Sequence, residues 1–250
     1  MDTWIDMYHG VRRLAQQDSV IFITDNAVGS AEEENLQHLV NNLAGDVAPS
    51  RVVPFLTCKH TLDYCLTYAA RAAGHGFEAL TVLGGDRSVG PARCLANAYQ
   101  LRQEIRRRMP ALALGGWANP HGDPARQVDF LLSPDVAAEF YLTQIVSHHS
   151  IRAVEGFLTE ARRRGVPYPG VFGVFLYRSA RPDTFARLAP FFPVPAVEIT
   201  REFEQGAAPE EICARSIRAL RELGVNHVYV SNLGFRNPER RYKSLLEAIG

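Results

Sequence analysis

No run of apolar side chains in this 250-residue sequence approaches the roughly 18 consecutive positions needed to span a bilayer. The opening Met-Asp-Thr-Trp-Ile-Asp has no basic stretch leading into an apolar one, so no secretory leader is expected and the reading is cytoplasmic. Excess charge of one sign is missing too: 27 Lys and Arg stand against 27 Asp and Glu. That balance excludes the basic footprint by which proteins hold nucleic acid or an anionic membrane surface, and leaves a small molecule as the expected partner. Cysteines number only 4, without a CxxC pair or regular spacing, so they are read as packed, reduced thiols rather than a disulfide framework. Several chemical signatures are absent as well. The segment from Gly84 to Gly90 has no Lys-Ser/Thr of a phosphate loop, no GxGxxG opens a helix, and no GxSxG elbow presents a nucleophilic serine. Without an HxH strand or an HExxH helix, Cys58, His60, His121, His148 and His149 do not form a recognisable zinc pattern, and no metal is expected. No Gly/Ser-rich linker breaks the chain, so one domain over residues 1–250 is expected.

What is present is an alternation. Short β-branched or apolar runs at 20–24, 52–57, 79–83, 111–115, 139–144, 170–176 and 227–231 read as strands. Stretches with helical spacing separate them, at 31–44, 61–74, 91–109, 124–137, 150–164, 182–190, 208–223 and 239–249, with an earlier helix over about 7–17. Ser150 and Pro182 mark helix starts; Gly74, Gly165 and Gly224 mark stops. The arginine runs at 106–108 and 162–164 fall in last turns, where cations complement the helix dipole. Residues 191–207, with Pro193 and Pro195, read as a long irregular connection. Strands apolar on both faces that alternate with helices mean a parallel sheet with crossover helices. The fold class is therefore α/β, a (β/α)8 TIM-type barrel with seven recognisable strands.

In such barrels chemistry sits where strands end and βα loops begin. The polar residues at those places are Thr24, Asp25 and Asn26; Thr57 to His60; Asp86 and Arg87; Trp117 to His121; Thr143 and Gln144; His148 and His149; Tyr177 and Arg178; and Ser231 and Asn232. Asp86 follows two glycines that would let backbone approach a flat ring, and its carboxylate can hydrogen-bond a heterocycle; a helix cap or a pair with Arg87 is the plainer role. Gln144 offers donor and acceptor together, suited to a heterocycle edge or to a core hydrogen bond. Trp117 and His121 can stack on and hydrogen-bond a ligand, or pack the rim. Cys58 is a candidate nucleophile because Lys59 and His60 beside it would lower a thiol pKa.

The order of these strand ends resembles the catalytic domain of methylenetetrahydrofolate reductases. Val53-Pro-Phe-Leu-Thr-Cys58 is similar to that family's PHLTC strand, and Ala79-Leu-Thr-Val-Leu-Gly-Gly-Asp86 to its ALRGD or ALTGD strand. Ile23-Thr-Asp-Asn26 resembles its ADNP, Gly116-Trp-Ala-Asn-Pro-His121 its tyrosine-proline-glutamate-x-histidine stretch, Tyr141-Leu-Thr-Gln144 its ITQ, and His227-Val-Tyr-Val-Ser-Asn232 its HFYTLN. The resemblance implies a barrel that holds FAD and passes a hydride from NADH or NADPH to the one-carbon unit of a folate. By position it implies that Asp86 and Gln144 grip the pterin, with Phe175 and Asn232 also on the substrate. Thr24, Thr57, Asp86, Trp117 and His121 would contact the cofactor.

Departures from the pattern are specific. The family's first strand carries an acidic residue before Pro-Pro, expected to protonate the folate nitrogen; nothing before Met7 matches it, and Asp25 is the nearest substitute. Phe55 replaces a histidine, Gly84 an arginine and Cys94 a tyrosine of the flavin shell, and no lysine matches near Ser133. Two functions therefore stand: a reductase, and a barrel that binds a folate or similar one-carbon carrier without reducing it, as an accessory subunit or degenerate paralogue. A folate-dependent methyl-transferring or demethylating enzyme is a third. Seven strands leave a seam with unpaired backbone groups, which the N-terminal segment, a partner chain, a second copy or a longer gene product is expected to close.

Overall fold

The computed structural model describes residues 2–24, 45–87, 90–234 and 237–250, with side chains from residue 8 onward. Asp25 and the helix expected over 31–44 lie outside the described residues. Seven strands follow one another in the order of the sequence, β1 (Ile21–Ile23), β2 (Val52–Thr57), β3 (Ala79–Leu83), β4 (Ala113–Ala118), β5 (Phe140–Val146), β6 (Gly170–Phe175) and β7 (His227–Ser231). The pairings β1–β2, β2–β3, β3–β4, β5–β6 and β6–β7 are all parallel. Helices alternate with them: α1 (Asp2–Ala15), α2 (Leu62–Gly74), α3 (Ala98–Arg108), α4 (Pro124–Leu132), α5 (Ile151–Arg163), α6 (Pro182–Leu188), α7 (Ala196–Glu204), α8 (Pro209–Glu222) and α9 (Pro238–Ile249). The βαβ repeat read from the sequence is thus present with seven strands, and among the described residues no strand precedes β1.

The chain divides into two compact units, Met1–Gly116 with Ser133–Phe140, and Trp117–Leu132 with Tyr141–Gly250. In the first, Leu56, Leu80, Leu101, Ile105 and Leu114 are fully buried, so β2, β3 and β4 share a core with α2 and α3. Each such side chain contributes about 1.5–3 kcal/mol of burial. Arg102 on α3 is buried with them; Nε donates to Val136 O at 2.8 Å and Nη1 to Val82 O at 3.1 Å. Burial pushes its guanidinium down to about 10, still fully charged at neutral pH. In the second unit Phe157, Phe172, Tyr141, Leu131 and Leu176 form the equivalent core between β5, β6 and α4, α5 and α8.

Most boundaries agree with the sequence reading, and the exceptions have local causes. α3 starts at Ala98, not near 91, because Asn97 and Gln100 form a capping box there. β4 runs past Gly115 and Gly116 to Ala118, and α4 stops at Leu132. The start expected at Ser150 is a short 3-10 turn, His148–Ser150, that leads into α5. The clearest correction concerns 191–207, expected to be irregular: Ala196–Glu204 is the helix α7, and Pro195 sits at its N-cap position, where a missing N–H costs nothing. The arginine runs do lie in last turns, and they are held there by ion pairs of Arg106 with Glu139, Arg107 and Arg108 with Glu104, and Arg163 with Glu160.

Candidate functional site

The second unit gathers polar side chains at the ends of β5, β6 and β7. Its central device is a β-bulge. Leu142 pairs with Val171, but the next partners are Ile145 and Gly173, so three residue steps on β5 face two on β6. The extra backbone is satisfied locally: Thr143 Oγ1 accepts from Gly173 N at 3.0 Å and donates to Gln144 O at 2.9 Å. Tyr229 reaches across from β7 and donates its hydroxyl to Thr143 O at 2.7 Å. Gly173 makes that reach possible, because a Cβ there would lie 2.8 Å from Tyr229 Cε1. The bulge turns Gln144 out of the ladder. Its Nε2 donates to Phe191 O at 2.9 Å, and its Oε1 accepts from Ile145 N at 2.9 Å, so both ends of the amide hold the local fold.

His121, in the turn between β4 and α4, donates from Nε2 to Ile145 O at 2.8 Å, while its backbone N donates to Asn119 Oδ1 at 3.1 Å. It lines a cavity of about 200 Å³ together with Ser147, His149, Tyr177, Val194 and Glu198. Trp117 stands near the end of β4 and is 37% exposed.

A second cavity, of about 330 Å³, is bounded by Phe175, Tyr177, Arg178, Arg181, Arg187 and Asn232. Phe175 stacks obliquely on Tyr177 and on Phe192, with ring centroids 4.9 and 5.3 Å apart. Asn232 has a left-handed backbone at φ 71, a conformation asparagine tolerates better than most residues, and its Nδ2 donates to Leu176 O at 2.9 Å. Two of the four sequence-predicted substrate residues, Phe175 and Asn232, thus bound one cavity. The three arginines beside them were not singled out as a group by the sequence reading. They are spaced along the chain on either side of a helix start, and only the turn into α6 brings them together.

In the first unit Asp86 is half-buried at the end of the β3 segment. The two glycines before it are covered by the chain's own side chains. A Cβ at Gly84 would lie 2.7 Å from Arg93 Nη1, one at Gly85 2.7 Å from Lys59 Cγ, and the Arg93 guanidinium donates to Gly85 O. Lys59, itself buried, donates from Nζ to Pro91 O at 2.8 Å. Thr57 is 1% exposed and accepts from Lys59 N, whereas Thr24 is exposed. The expected activation of Cys58 is reversed. The thiol is fully buried, and burial, followed by the neighbouring Cys94, pushes it up to about 12. At neutral pH it is a protonated core side chain, not a nucleophile.

A further cluster in the second unit went unread because Glu202 falls in the stretch expected to be irregular. Glu202, on the buried face of α7, accepts from Arg215 Nη1 at 2.8 Å. Its Oε1 lies 3.1 Å from His148 Nε2, and its Oε2 lies 3.4 Å from His149 Nε2. The two imidazoles are 3.9 Å apart between centroids, and His148 Nδ1 is 2.8 Å from Ser216 Oγ. Burial would raise the Glu202 carboxyl, but the hydrogen bond from Arg215 and the adjacent histidines outweigh it and hold it below the ordinary range. Burial and the second imidazole lower His148 despite Glu202. The amphipathic spacing of Ile199 and Glu202 on α7 was the available sequence signal.

Among the described residues no helix is long and apolar enough to cross a membrane. No protein-family model matches the chain, and no curated protein matches it. Solved structures do. A protein from Clostridium thermocellum, described as binding two copies of 5-methyl-5,6,7,8-tetrahydrofolic acid, superposes with a TM-score of 0.65 at 18% identity, covering 99% of this chain and 88% of that one. An aldolase, QR15, gives 0.51 at 12% identity over 96% and 90%, and the aldo-keto reductase AKR11C1 from Bacillus halodurans gives 0.50 at 12% over 95% and 80%. These likenesses, with seven parallel strands alternating with helices, place the chain among α/β folds of the TIM-barrel type.

Proposed function

We propose that this chain binds a reduced folate, seated in the cavity bounded by Phe175, Asn232 and the arginines at 178, 181 and 187. That cavity is the observation that carries the reading. A folate joins a flat heterocycle and a benzoyl ring to a carboxylate tail, and the cavity offers the matching groups: an aromatic face, a carboxamide edge and guanidinium forks for carboxylates. Gln144, in the bulge of β5, is a second amide at the strand ends of the same unit, with one N–H and one lone pair beyond its bonds to Phe191 and Ile145. The Clostridium thermocellum protein of the same fold, with its two bound folates, adds support.

The finer reading is the reductase, in which a hydride from NADH or NADPH reaches the folate-bound one-carbon unit; the six strand-end motifs favour it. Against a flavin beside Asp86 stand the Arg93 and Lys59 side chains packed over Gly84 and Gly85, and the burial of Thr57. The residues present do not fit FAD there, so binding without reduction is preferred and no reaction step is derived through the flavin.

Titration of the protein with 5-methyltetrahydrofolate, followed by calorimetry, tests the binding reading. Saturable 1:1 or 2:1 binding is expected. Arg178→Ala with Arg187→Ala should weaken it about tenfold or more and flatten its salt dependence, and Gln144→Ala should weaken it by a similar factor. An Asp86→Ala variant that also weakens binding would tie that carboxylate to the ligand. No measurable binding refutes the proposal. NADH or NADPH oxidation in the presence of methylenetetrahydrofolate and added FAD would instead establish the reductase.

A further inference from the structure

The cluster of His148, His149 and Glu202 has the donor set and spacing of a metal centre, and its use by the molecule is otherwise unexplained. The ligand atoms, one from each residue, all lie within 4.8 Å of one another. Three nitrogen or oxygen ligands about 2.0–2.1 Å from a tetrahedral ion stand about 3.3 Å apart. On the oxygen that Arg215 leaves open, the 3.4 Å from His149 Nε2 to Glu202 Oε2 matches that value, and the 3.1 Å from His148 Nε2 to the other oxygen keeps the second imidazole beside the same carboxylate. We propose that His148, His149 and Glu202 bind a divalent transition-metal ion, with Zn²⁺ as the best match for two imidazoles and one carboxylate.

The surroundings fit a ligand sphere as well as the three atoms do. Ligating histidines need the ring nitrogen that faces away from the metal to be held by a partner. Ser216 Oγ, 2.8 Å from His148 Nδ1, is such a partner, and a hydroxyl suits it because it can either donate or accept. With no ion present, Ser216 can donate to Nδ1 while Nε2–H faces Glu202. With an ion present, the ring adopts the other tautomer: Nδ1–H donates to Ser216 and the Nε2 lone pair turns to the metal. Arg215 does not cancel the carboxylate outright, since its second nitrogen is shared with Glu211 Oε1 at 2.8 Å, and it engages Oε1 of Glu202, leaving Oε2 for the ion. Glu198 adds a further negative charge on the wall of the cavity that His149 lines. Three protein ligands leave at least one coordination position, and one of the three, His149, also lines the 200 Å³ cavity with His121 and Ser147. Such an open position distinguishes a reactive or ligand-accepting zinc from a purely structural one. The site stands on its own residues and does not depend on folate binding.

The full-length protein, stripped with a chelator and dialysed, should bind Zn²⁺ at one equivalent per chain in competition with a chromophoric chelator. Co²⁺ in its place should give visible d–d bands of a four- or five-coordinate centre. His149→Gln, at an exposed position, should lower Zn²⁺ affinity at least tenfold without changing the circular dichroism of the metal-free protein. Glu202→Gln should do the same or more. Ser216→Ala, which only positions His148, should cost about tenfold and shift the Co²⁺ bands rather than abolish them. The proposal is overturned if no stoichiometric binding occurs at micromolar Zn²⁺, or if binding persists unchanged in both His149→Gln and Glu202→Gln.

Discussion

Replacing Gly173 by alanine is the sharpest probe of the device that presents Gln144. The new Cβ would stand 2.8 Å from Tyr229 Cε1, whereas relaxed carbon contacts lie at about 3.5–4.0 Å. The tyrosine ring must therefore retreat by roughly an ångström. Its hydroxyl then loses its 2.7 Å bond to Thr143 O, worth about 1 kcal/mol, and the overpacked strand pair costs about 1–3 kcal/mol more. Alanine in a strand recovers about 0.5–1 kcal/mol over glycine. The net is about 2–3 kcal/mol, which in a chain of this size lowers Tm by about 4–12 °C. Urea denaturation gives the free energy and calorimetry the Tm. The Tyr229→Leu background supplies the control: with the ring gone, Gly173→Ala should cost well under 1 kcal/mol, so the two substitutions should be strongly non-additive. A cost below about 0.5 kcal/mol in the parent, or simple additivity in the double variant, would refute the idea that Gly173 exists to admit Tyr229.

Two further outcomes follow from the buried polar groups. Arg102→Met keeps most of the side-chain volume but strips the donors from Val82 O and Val136 O, and should cost about 2 kcal/mol by urea midpoint; an unchanged midpoint would mean those carbonyls find other partners. Cys58 and Cys213 are each raised from 9.0 to about 12, chiefly by burial. A raised thiol stabilises the fold fully below its unfolded value and loses that contribution as pH climbs from about 9 toward 12, because only the unfolded chain ionises there. Stability at pH 10 should therefore fall by about 1 kcal/mol per thiol, and native alkylation near neutral pH, read by mass spectrometry, should modify Cys94 ahead of Cys58, Cys65 and Cys213. Rapid labelling of Cys58 in the folded protein would contradict the burial argument.

The βαβ alternation was legible because its signals are local: β-branched runs such as 52–57 and amphipathic runs such as 151–163 carry their period within a few residues. Strand limits were less so. Gly115 and Gly116 look like a stop, but β4 continues through them, and at Gly115 the space a side chain would fill is taken by the Phe140 ring. Two prolines made 191–207 look irregular, although proline at a helix entrance is favourable, and the error hid α7 and with it Glu202. The β5 bulge could not be read at all, because register is a property of two strands and only one is present in any local window. Gln144 was expected to end its strand, which runs on to Val146; that its amide is engaged by Phe191 and Ile145 is a fact of tertiary structure.

That engagement has a consequence for selectivity. An amide bonded at both ends still holds one further Nε2 hydrogen and one further Oε1 lone pair, so a ligand that meets those spare functions adds bonds while leaving Phe191 O and Ile145 N satisfied, whereas one that displaces either bond strands a backbone group. On the proposed folate reading, analogues that differ by a single exchangeable hydrogen at this amide should therefore be told apart more sharply than homologues that differ by a methylene.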